Sequence, residues 1–190
     1  MPAMAVLADD KRVAELIERL GDWLAERIAE HRGEAWALVG LRSRGDVIAQ
    51  RLAARLDATA LAGRVGSLDI TLYRDDLGQI GPQPVVRTTD VSFPVDDTHV
   101  VLVDDVLMTG RSVRAAMQSL IDLGRPRRIW LAVLVDRGGR ELPIAPDQVA
   151  LDLTGAAEPG ADQLVEVHVR PTDARDEIIV RPRLHEDAIA

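Results

Sequence analysis

VVLVDDVLMTGRSVRAAMQSL, residues 100–120, is the stretch of sequence that decides the fold. Its first residues, Val100–Val103, are all apolar and predict a buried strand that ends in the acidic pair Asp104 and Asp105. From Val113 onward the apolar residues recur at helical spacing, which predicts a helix. The stretch therefore indicates a strand, a polar loop and a helix, in that order.

The flanking sequence extends this unit into a sheet. Ile129–Val135 is wholly apolar and predicts the next strand, and two buried strands joined by one helix are typical of a parallel sheet covered on both faces. Upstream, Ala35–Leu41 predicts another buried strand, and residues 11–31 predict a long amphipathic helix. We therefore expect an α/β fold with a central, mainly parallel sheet flanked by helices.

Length and composition fit a single globular domain over residues 1–190. Hydrophobic residues make up 47% of the chain and cysteine is absent, so an aliphatic core is expected and a disulfide scaffold is excluded. No apolar run is long enough to span a bilayer and no secretory signal is visible, so we expect a cytoplasmic protein with no membrane partner. The net charge is −8, whereas nucleic-acid-binding proteins usually carry an excess of positive charge, so the overall charge does not favour nucleic-acid binding.

Two regions depart from this regular pattern. Leu68–Tyr73 alternates apolar and polar residues, as a half-buried strand does, whereas residues 74–84 contain two Gly and two Pro and cannot sustain a regular element. We predict a flexible hairpin over about residues 68–93. Towards the C-terminus the pattern fragments, and only short strands are predicted, at Leu164–Val169 and Glu177–Arg181.

The polar residues after the strand at 100–103 form a candidate ligand site. Ligands of open parallel sheets bind beyond the carboxyl ends of strands, where Asp104 and Asp105 fall. Thr109–Ser112 opens the following helix, where free N–H groups and the helix dipole favour a phosphate. A ligand with sugar hydroxyls and a phosphoryl group would suit both features. The residues alone also allow an acidic turn whose Thr or Ser caps the helix.

The motif resembles the phosphoribosyl-pyrophosphate signature of type I phosphoribosyltransferases: a hydrophobic strand, an acidic pair, then T-G-[RK]-[ST]. Leu68–Leu77 (LDITLYRDDL), Leu123–Arg128 (LGRPRR) and Leu131–Pro143 (LAVLVDRGGRELP) are similar, in matching order, to the bifunctional pyrimidine operon regulators with uracil phosphoribosyltransferase activity. The likeness runs from about Val6 to Pro146 and is loose afterwards.

This resemblance implies a type I phosphoribosyltransferase fold with a small hood from the termini, including about residues 138–190. The implied catalytic residues are Asp104 and Asp105, which would hold the ribose hydroxyls, and Arg74. The other implied site residues form the 5′-phosphate loop (Thr109, Gly110, Arg111 and Ser112), the pyrophosphate loop (Arg42, Ser43, Arg44 and Gly45), the flexible loop that closes over the substrate (Tyr73, Asp75 and Asp76) and the base pocket (Asp136 and Arg137).

Each of the last three groups also has an ordinary structural interpretation. LRSRG, residues 41–45, could be a solvated basic turn, and RDD, residues 74–76, a charged turn. Asp136 and Arg137 could form an ion pair or a turn at the end of a strand. These alternatives stay open at the level of sequence.

The resemblance also implies a reaction and partners. The expected enzyme transfers ribose 5-phosphate from phosphoribosyl pyrophosphate to uracil and releases UMP and pyrophosphate. Its cofactor is Mg²⁺, held mainly through the diphosphate without direct protein ligands, and the protein forms a homodimer or a larger homo-oligomer. The four histidines show no metal-ligand spacing and are predicted to be surface or packing residues. Two alternatives remain: a UMP-responsive RNA-binding attenuator of pyrimidine genes with weak catalysis, and a phosphoribosyltransferase for another base.

Charge in the first helix argues against tight RNA binding. Residues 1–32 contain five basic and seven acidic residues, and RNA affinity depends on neutralising phosphates with Arg and Lys. We therefore predict that RNA binding is weak or lost. In the alternative view the acidic residues only keep the helix soluble, and RNA docks on Arg125, Arg127, Arg128 and Arg140.

The chain departs from the family pattern at three places. Met108 stands where the family usually has Tyr, and Gly139 where it commonly has His. After Pro146 the usual base-pocket segment is absent and Val149–Gly155 (VALDLTG) stands instead. These departures leave the choice of base less defined than the phosphoribosyl donor.

Overall fold

The computed structural model describes residues 4–56, 58–70 and 89–183, which form two β-sheets and the helices packed on them. In chain order the elements are β1 (Ala5–Ala8), α1 (Asp10–Glu30), β2 (Ala35–Leu41), α2 (Gly45–Ala53), α3 (Ala58–Leu61), β3 (Val65–Leu68), β4 (Thr98–Leu107), α4 (Arg111–Leu123), β5 (Arg128–Asp136), β6 (Gln148–Asp152), a 3₁₀ turn (Gly155–Ala157), β7 (Gln163–His168) and β8 (Glu177–Pro182). Five strands form a parallel sheet in the order β3-β2-β4-β5-β6. The predicted α/β fold is confirmed.

The parallel sheet separates two layers of hydrophobic core. On one face Leu38 and Val101 pack with the apolar stripes of α1 and α2. On the other face Val39 and Leu102 pack with residues of α4 such as Val113. Successive residues of a strand point to opposite faces, so the wholly apolar runs in the sequence supply both layers.

Pairing between strands corrects the predicted end of β4. The strand continues through Leu107, which lies opposite Asp136 of β5, so Asp104 and Asp105 lie inside β4 rather than after it. Partner strands on both sides extend the ladder over polar residues that propensity alone would exclude. β6 has no counterpart in the sequence-based prediction because its apolar run, Val149–Leu151, is only three residues long.

The region predicted as a hairpin starts differently from expectation. β3 ends at Leu68, where the predicted strand begins, and it pairs in parallel with β2 at the edge of the central sheet. Antiparallel pairing is seen between Ser67 and Asp90, whose backbone N–H and C=O groups bond reciprocally at 2.8 Å. Residues 71–88, most of the predicted hairpin, lie outside the described residues.

The second sheet is built from both ends of the chain. β1 pairs antiparallel with β8, and β8 pairs antiparallel with β7. The resemblance implies a hood that includes about residues 138–190; this hood sheet uses both ends of the chain, but β6, which lies in that range, belongs to the central sheet. β7 and β8 confirm the two short strands predicted near the C-terminus. Within the described ranges, no helix has the length and apolar character needed to cross a bilayer.

Candidate active site

Three loops meet at the carboxyl end of the parallel sheet because β2, β4 and β5 are neighbours that run in the same direction. Gly40 of β2 lies opposite Val103 of β4, and Val106 of β4 lies opposite Val135 of β5. The segments that follow carry the residues predicted for pyrophosphate, ribose phosphate and base. The topology therefore gathers them at the edge where open α/β sheets bind ligands.

The loop after β2, predicted to bind pyrophosphate, packs tightly on the neighbouring strands. A Cβ atom on Gly45 would lie 2.4 Å from the Val103 carbonyl oxygen, so any side chain there would displace the loop. Arg42 donates its backbone N–H to the Leu68 carbonyl and its Nε–H to the Ser67 hydroxyl, both at 2.9 Å. The loop is thus fixed between β3 and β4.

Arg44 of the same loop contacts the hood. Its Nε and Nη2 atoms donate to the two carboxylate oxygens of Asp173, each at 2.9 Å. Asp173 lies on the connection between β7 and β8, 129 residues further along the chain. Ser43, the neighbouring loop residue, is half-buried. The sequence alone could not predict this ion pair, because the two residues are 129 positions apart and belong to no shared motif.

The acidic pair lies near the carboxyl end of β4. Asp104 is buried, with 7% of its surface exposed, and Asp105 is half-buried. One oxygen of Asp104 accepts the Asp105 backbone N–H, and one oxygen of Asp105 accepts the Val106 N–H, each at 3.0 Å. These bonds orient two adjacent carboxylates, which are acceptors suited to the hydroxyls of a sugar.

α4 begins directly after Gly110, whose φ of +91° is a left-handed conformation that favours glycine. The N-cap residue Gly110 has no side chain to cap this helix, so N–H groups at the helix start, including that of half-buried Ser112, suit an anion. Thr109 is buried, and its hydroxyl accepts the Arg111 N–H at 3.2 Å. The Arg111 guanidinium bonds Glu141 at 2.6 Å, at the rim of the loop.

Arg140, which the sequence did not single out for this site, ties the loop after β5 together. It donates to the carbonyl oxygens of Met108 at 2.7 Å and Ile144 at 2.9 Å, and to the Asp136 carboxylate. Asp136 also accepts the Gly138 N–H at 3.0 Å. The predicted base-pocket residue Asp136 therefore holds the loop through an ion pair. The spacing of four residues between Asp136 and Arg140 was the sequence signal that could have predicted this ion pair.

Arg137, the other predicted base-pocket residue, is buried with only 4% of its surface exposed. Burial lowers the pKa of its guanidinium below the ordinary value. Nη1 lies 3.3 Å from the Met108 sulfur and Nη2 lies 3.4 Å from the Pro159 carbonyl oxygen. Among the residues that the structure describes, its Nε has no hydrogen-bond partner. A buried donor of this kind is costly unless a ligand or water completes it.

The three departures from the family pattern border this same region. A Cβ atom on Gly139 would lie 3.7 Å from Cγ of Met108, so the two substituted positions are neighbours. The segment Val149–Gly155 begins in β6 beside β5, and its Leu153 N–H donates to the Asp136 carbonyl at 2.8 Å. The predicted 5′-phosphate loop contains Gly110 and leads directly into α4.

A group of titratable residues, His31, Glu34 and His99, gathers at the opposite end of the sheet, with ligand atoms within 4.8 Å of one another. The Trp130 indole N–H donates to His99 Nδ1 at 3.2 Å, so Nε2 carries the ring proton and donates it to Glu34 at 2.6 Å. A metal ion on Nε2 would force that proton onto the nitrogen that faces the indole N–H. The hydrogen bonds therefore oppose metal binding and support a packing role for His99.

The predicted flexible-loop residues Tyr73, Arg74, Asp75 and Asp76 lie outside the described residues. The described ends of that segment meet at the bridge between Ser67 and Asp90. Since Arg42 bonds the Ser67 hydroxyl, these ends lie beside the loop after β2.

Fold and site together define a phosphoribosyltransferase. The family model of the phosphoribosyl transferase domain matches residues 11–157. Among solved structures, the hypoxanthine phosphoribosyltransferase of Trypanosoma cruzi in complex with the product IMP aligns with a TM-score of 0.64 at 18% identity, covering 95% of each chain. At that identity the likeness supports the fold alone.

Relatives with higher sequence identity show to which family of phosphoribosyltransferases the chain belongs. Bifunctional protein PyrR of a Roseiflexus species is 53% identical over 162 residues, which is 84% of this chain and 86% of the relative. Bifunctional protein PyrR of Akkermansia muciniphila is 41% identical over 179 residues, covering 94% and 97%. The chain belongs to the PyrR family of phosphoribosyltransferases.

Proposed function

We propose that this chain transfers the 5-phosphoribosyl group of phosphoribosyl pyrophosphate to N1 of uracil, releasing UMP and pyrophosphate. One observation carries the proposal: an acidic pair, a helix start and a tightly packed loop meet at the carboxyl ends of the adjacent strands β4 and β2. The donor offers ribose hydroxyls, a 5′-phosphate and a diphosphate, one partner for each feature. Membership of the PyrR family supports this donor.

The donor is bound mostly by β4, α4 and the loop after β2 in this proposal. Asp104 and Asp105 accept hydrogen bonds from the ribose 2′- and 3′-hydroxyls. The N–H groups of residues 109–112 donate to the 5′-phosphate, aided by the dipole of α4. The backbone and side chains of residues 42–45 contact the diphosphate, for which arginine is well suited. Backbone contacts of this kind tolerate Met108 in place of the family's Tyr.

The proposed reaction exchanges one bond at C1 of the ribose. The bond from C1 to the diphosphate oxygen breaks, and its electron pair leaves with the diphosphate. The bond from C1 to uracil N1 forms, and the N1 proton passes to water or to the released diphosphate. Positive charge develops on the ribose, where the carboxylates of Asp104 and Asp105 stabilise it. The catalytic role of Arg74, and of its loop in excluding water, stays a prediction.

The base is proposed to lie beside Arg137. Its buried Nε–H has no partner among the described residues and can donate to a carbonyl oxygen of uracil. Asp136 and Arg140 act indirectly because they hold the loop that carries Arg137. Adenine has no carbonyl group, so a buried cation at this place favours oxo bases.

Mg²⁺ is the proposed cofactor. Asp104 and Asp105 offer the hard oxygen donors that Mg²⁺ prefers, so the residues present fit the ion. The ion would be held mainly through the diphosphate, with these carboxylates nearby. When bound, it neutralises charge on the leaving diphosphate.

Further parts of the proposal follow from the family relationship. The chain acts in the cytoplasm and assembles as a homodimer or larger homo-oligomer, which sedimentation analysis would reveal. UMP, the proposed product, should also bind at this site. RNA is proposed to bind weakly, because acidic residues outnumber basic residues in residues 1–32.

The proposal is tested by pyrophosphate release with phosphoribosyl pyrophosphate, Mg²⁺ and one base at a time. Uracil should support release, whereas adenine, hypoxanthine and orotate should not. A chain that works with a purine and ignores uracil would refute the base assignment. A chain that neither binds the donor nor releases pyrophosphate with any base would refute the phosphoribosyl assignment.

A further inference from the structure

The connection between β7 and β8 holds two aspartates against α2. Asp173 receives two hydrogen bonds from Arg44, each at 2.9 Å, and Asp176 receives two from Arg51, at 2.5 and 3.0 Å. Arg44 immediately precedes α2 and Arg51 lies in its last turn. Positions about two turns apart lie on the same side of a helix. Two ion pairs therefore fasten the hood to both ends of α2.

Asp173 is itself fixed within the hood connection. Its Oδ2 also accepts the Val169 N–H at 2.8 Å, and its own N–H donates to the Val169 carbonyl at 3.0 Å. Burial raises the pKa of the Asp173 carboxyl, but the hydrogen bonds from Arg44 and Val169 outweigh burial and hold that pKa below its ordinary value. The carboxylate that Arg44 contacts is therefore charged at neutral pH and is oriented by the backbone of Val169.

Arg44 transmits this rigidity to the loop after β2. It is followed by Gly45, which sits so close to the Val103 carbonyl that the loop has no room to shift in that direction. Two parallel N–H···O bonds from one guanidinium define its orientation as well as its position. With the side chain held on Asp173, the backbone of residues 42–45 loses freedom before any ligand arrives, which lowers the entropic cost of binding.

We propose that Asp173 is a positioning residue for the pyrophosphate donor: it holds Arg44, and through Arg44 the loop after β2, in the arrangement that binds the diphosphate. The inference rests on the proposed function and deepens it, because it makes the hood part of the donor site. Asp173 does not touch the donor. Its loss frees the loop, so donor binding weakens while the base side is unaffected.

The test compares the wild-type chain with Asp173→Asn, Arg44→Gln and the double variant. Steady-state pyrophosphate release gives kcat and the KM values for donor and uracil, and calorimetry gives the Kd of the donor. Asp173→Asn should raise the donor KM and Kd about tenfold, as expected for losing one charge-assisted pair, with kcat and the uracil KM within about twofold. The double variant should bind the donor no more weakly than Arg44→Gln alone, because Asp173 acts through Arg44.

Asp176→Asn is the matched control. It removes an aspartate from the same connection, but the partner Arg51 lies at the far end of α2. It should lower the free energy of unfolding and leave the donor KM within about twofold. Asp173→Glu keeps the charge and should recover part of the donor affinity, which a purely structural role would not require.

The outcomes separate the inference from the proposed function. A donor KM that is unchanged in Asp173→Asn overturns the inference alone, and so does a lower KM, which would mean that Asp173 competes with the diphosphate for Arg44. If Asp173→Asn does not fold, Asp173→Ser is judged by the same criterion, because Arg44→Gln also removes a side chain that is proposed to contact the diphosphate. A wild-type chain that binds the donor but ignores uracil refutes the base assignment, and the donor Kd still decides the role of Asp173. A wild-type chain that does not bind the donor refutes both.

Discussion

The two sides of the site are built by different means. The proposed donor side, residues 42–45 and 104–112, consists of short segments in which a glycine, a strand end and a helix start lie close in sequence. The proposed base side, residues 136–159, is held together by arginines that bond groups far away in sequence: Arg140 donates to the Met108 carbonyl and Arg137 to the Pro159 carbonyl. The donor side therefore depends on backbone geometry, and the base side on charged side chains.

The departures expected from the family resemblance lie mostly on the proposed base side. Gly139 and the segment Val149–Gly155 fall on the base side, and Met108 reaches it through its contact with Arg137. Side-chain networks can be rebuilt by changing the partners, whereas a phosphate loop made of N–H groups leaves few options. Substitutions on the donor side should therefore affect turnover, and substitutions on the base side should affect stability first.

The sharpest test of the donor side is Asp104→Asn or Asp105→Asn. Each should lower kcat by at least about a hundredfold, the usual loss when a group that stabilises transition-state charge is removed. The fold should be intact because both side chains lie at the ligand edge and an amide keeps their shape. Pyrophosphate release measures the effect, and circular dichroism checks the fold.

Asp122→Asn, on the exposed surface of α4, is the control and should keep wild-type turnover. Near-normal activity in both Asp104→Asn and Asp105→Asn would show that the acidic pair does not hold the ribose.

The matching test of the base side is Arg140→Met. It removes the hydrogen bonds to Met108 and Ile144 and leaves the buried Asp136 carboxylate without its ion pair. We expect a loss of about 2–3 kcal/mol in the free energy of unfolding, towards the lower end for a broken buried pair because Arg140 is partly exposed. Urea unfolding measures it.

Arg128→Met is the comparison variant, since Arg128 makes an exposed pair with Asp147 and lies over the Trp130 ring. That change should cost less than about 1 kcal/mol. Equal losses in the two variants would mean that the base side does not depend on Arg140. Adding Asp136→Asn to Arg140→Met should restore part of the stability, because the uncompensated charge disappears.

The attachment of the hood predicts a pH dependence of stability. Burial raises the pKa of the Asp176 carboxyl, but hydrogen bonds from Arg51 and the Arg170 N–H outweigh burial and leave that pKa below its ordinary value. In the unfolded chain the pKa of an Asp carboxyl is about 4. Because the pKa of Asp176 is lower in the folded protein, its ion pair stabilises the fold fully above about pH 4, and this stabilisation is lost as the pH falls through the folded pKa. Urea unfolding from pH 7 to pH 3 should therefore show the gap between wild type and Asp176→Asn closing below about pH 4. A gap that stays constant in acid would contradict the charged pairing.

The same contrast defines what the sequence could predict. The strands β2, β4 and β5, the helix α4 and the acidic pair follow from apolar periodicity and from residues adjacent in sequence. The end of β4 and the existence of β6 depend on neighbouring strands, which one segment cannot reveal. The pair of Arg44 with Asp173 spans 129 residues, and no local pattern encodes it. Sequence reasoning therefore identified the strands and helix that frame the site, whereas contacts between distant segments came from the structure alone.

The smallest expected effect concerns RNA, which we predict to bind weakly or not at all. Three of the four arginines that could offer an alternative basic face are already engaged: Arg127 contacts Glu34 at 3.4 Å, Arg128 contacts Asp147 at 3.3 Å, and Arg140 donates to backbone carbonyls of the loop after β5 and of Met108. Each such pair cancels a charge that phosphate neutralisation would need. Filter binding to the pyrimidine leader RNA, with and without UMP, measures the affinity.

Variants at two exposed acidic residues of α1 test whether the acidic charge of this helix weakens RNA binding. Glu18 contacts Arg55 at 3.1 Å, and Asp22 lies one turn further along the helix. If acidic charge on α1 is what repels RNA, Glu18→Gln with Asp22→Asn should raise RNA binding in a salt-sensitive manner, because fewer carboxylates face the phosphates. Tight, salt-sensitive and UMP-enhanced binding by the wild-type chain would contradict the prediction. It would place RNA recognition on a surface other than α1, since α1 carries more acidic than basic residues.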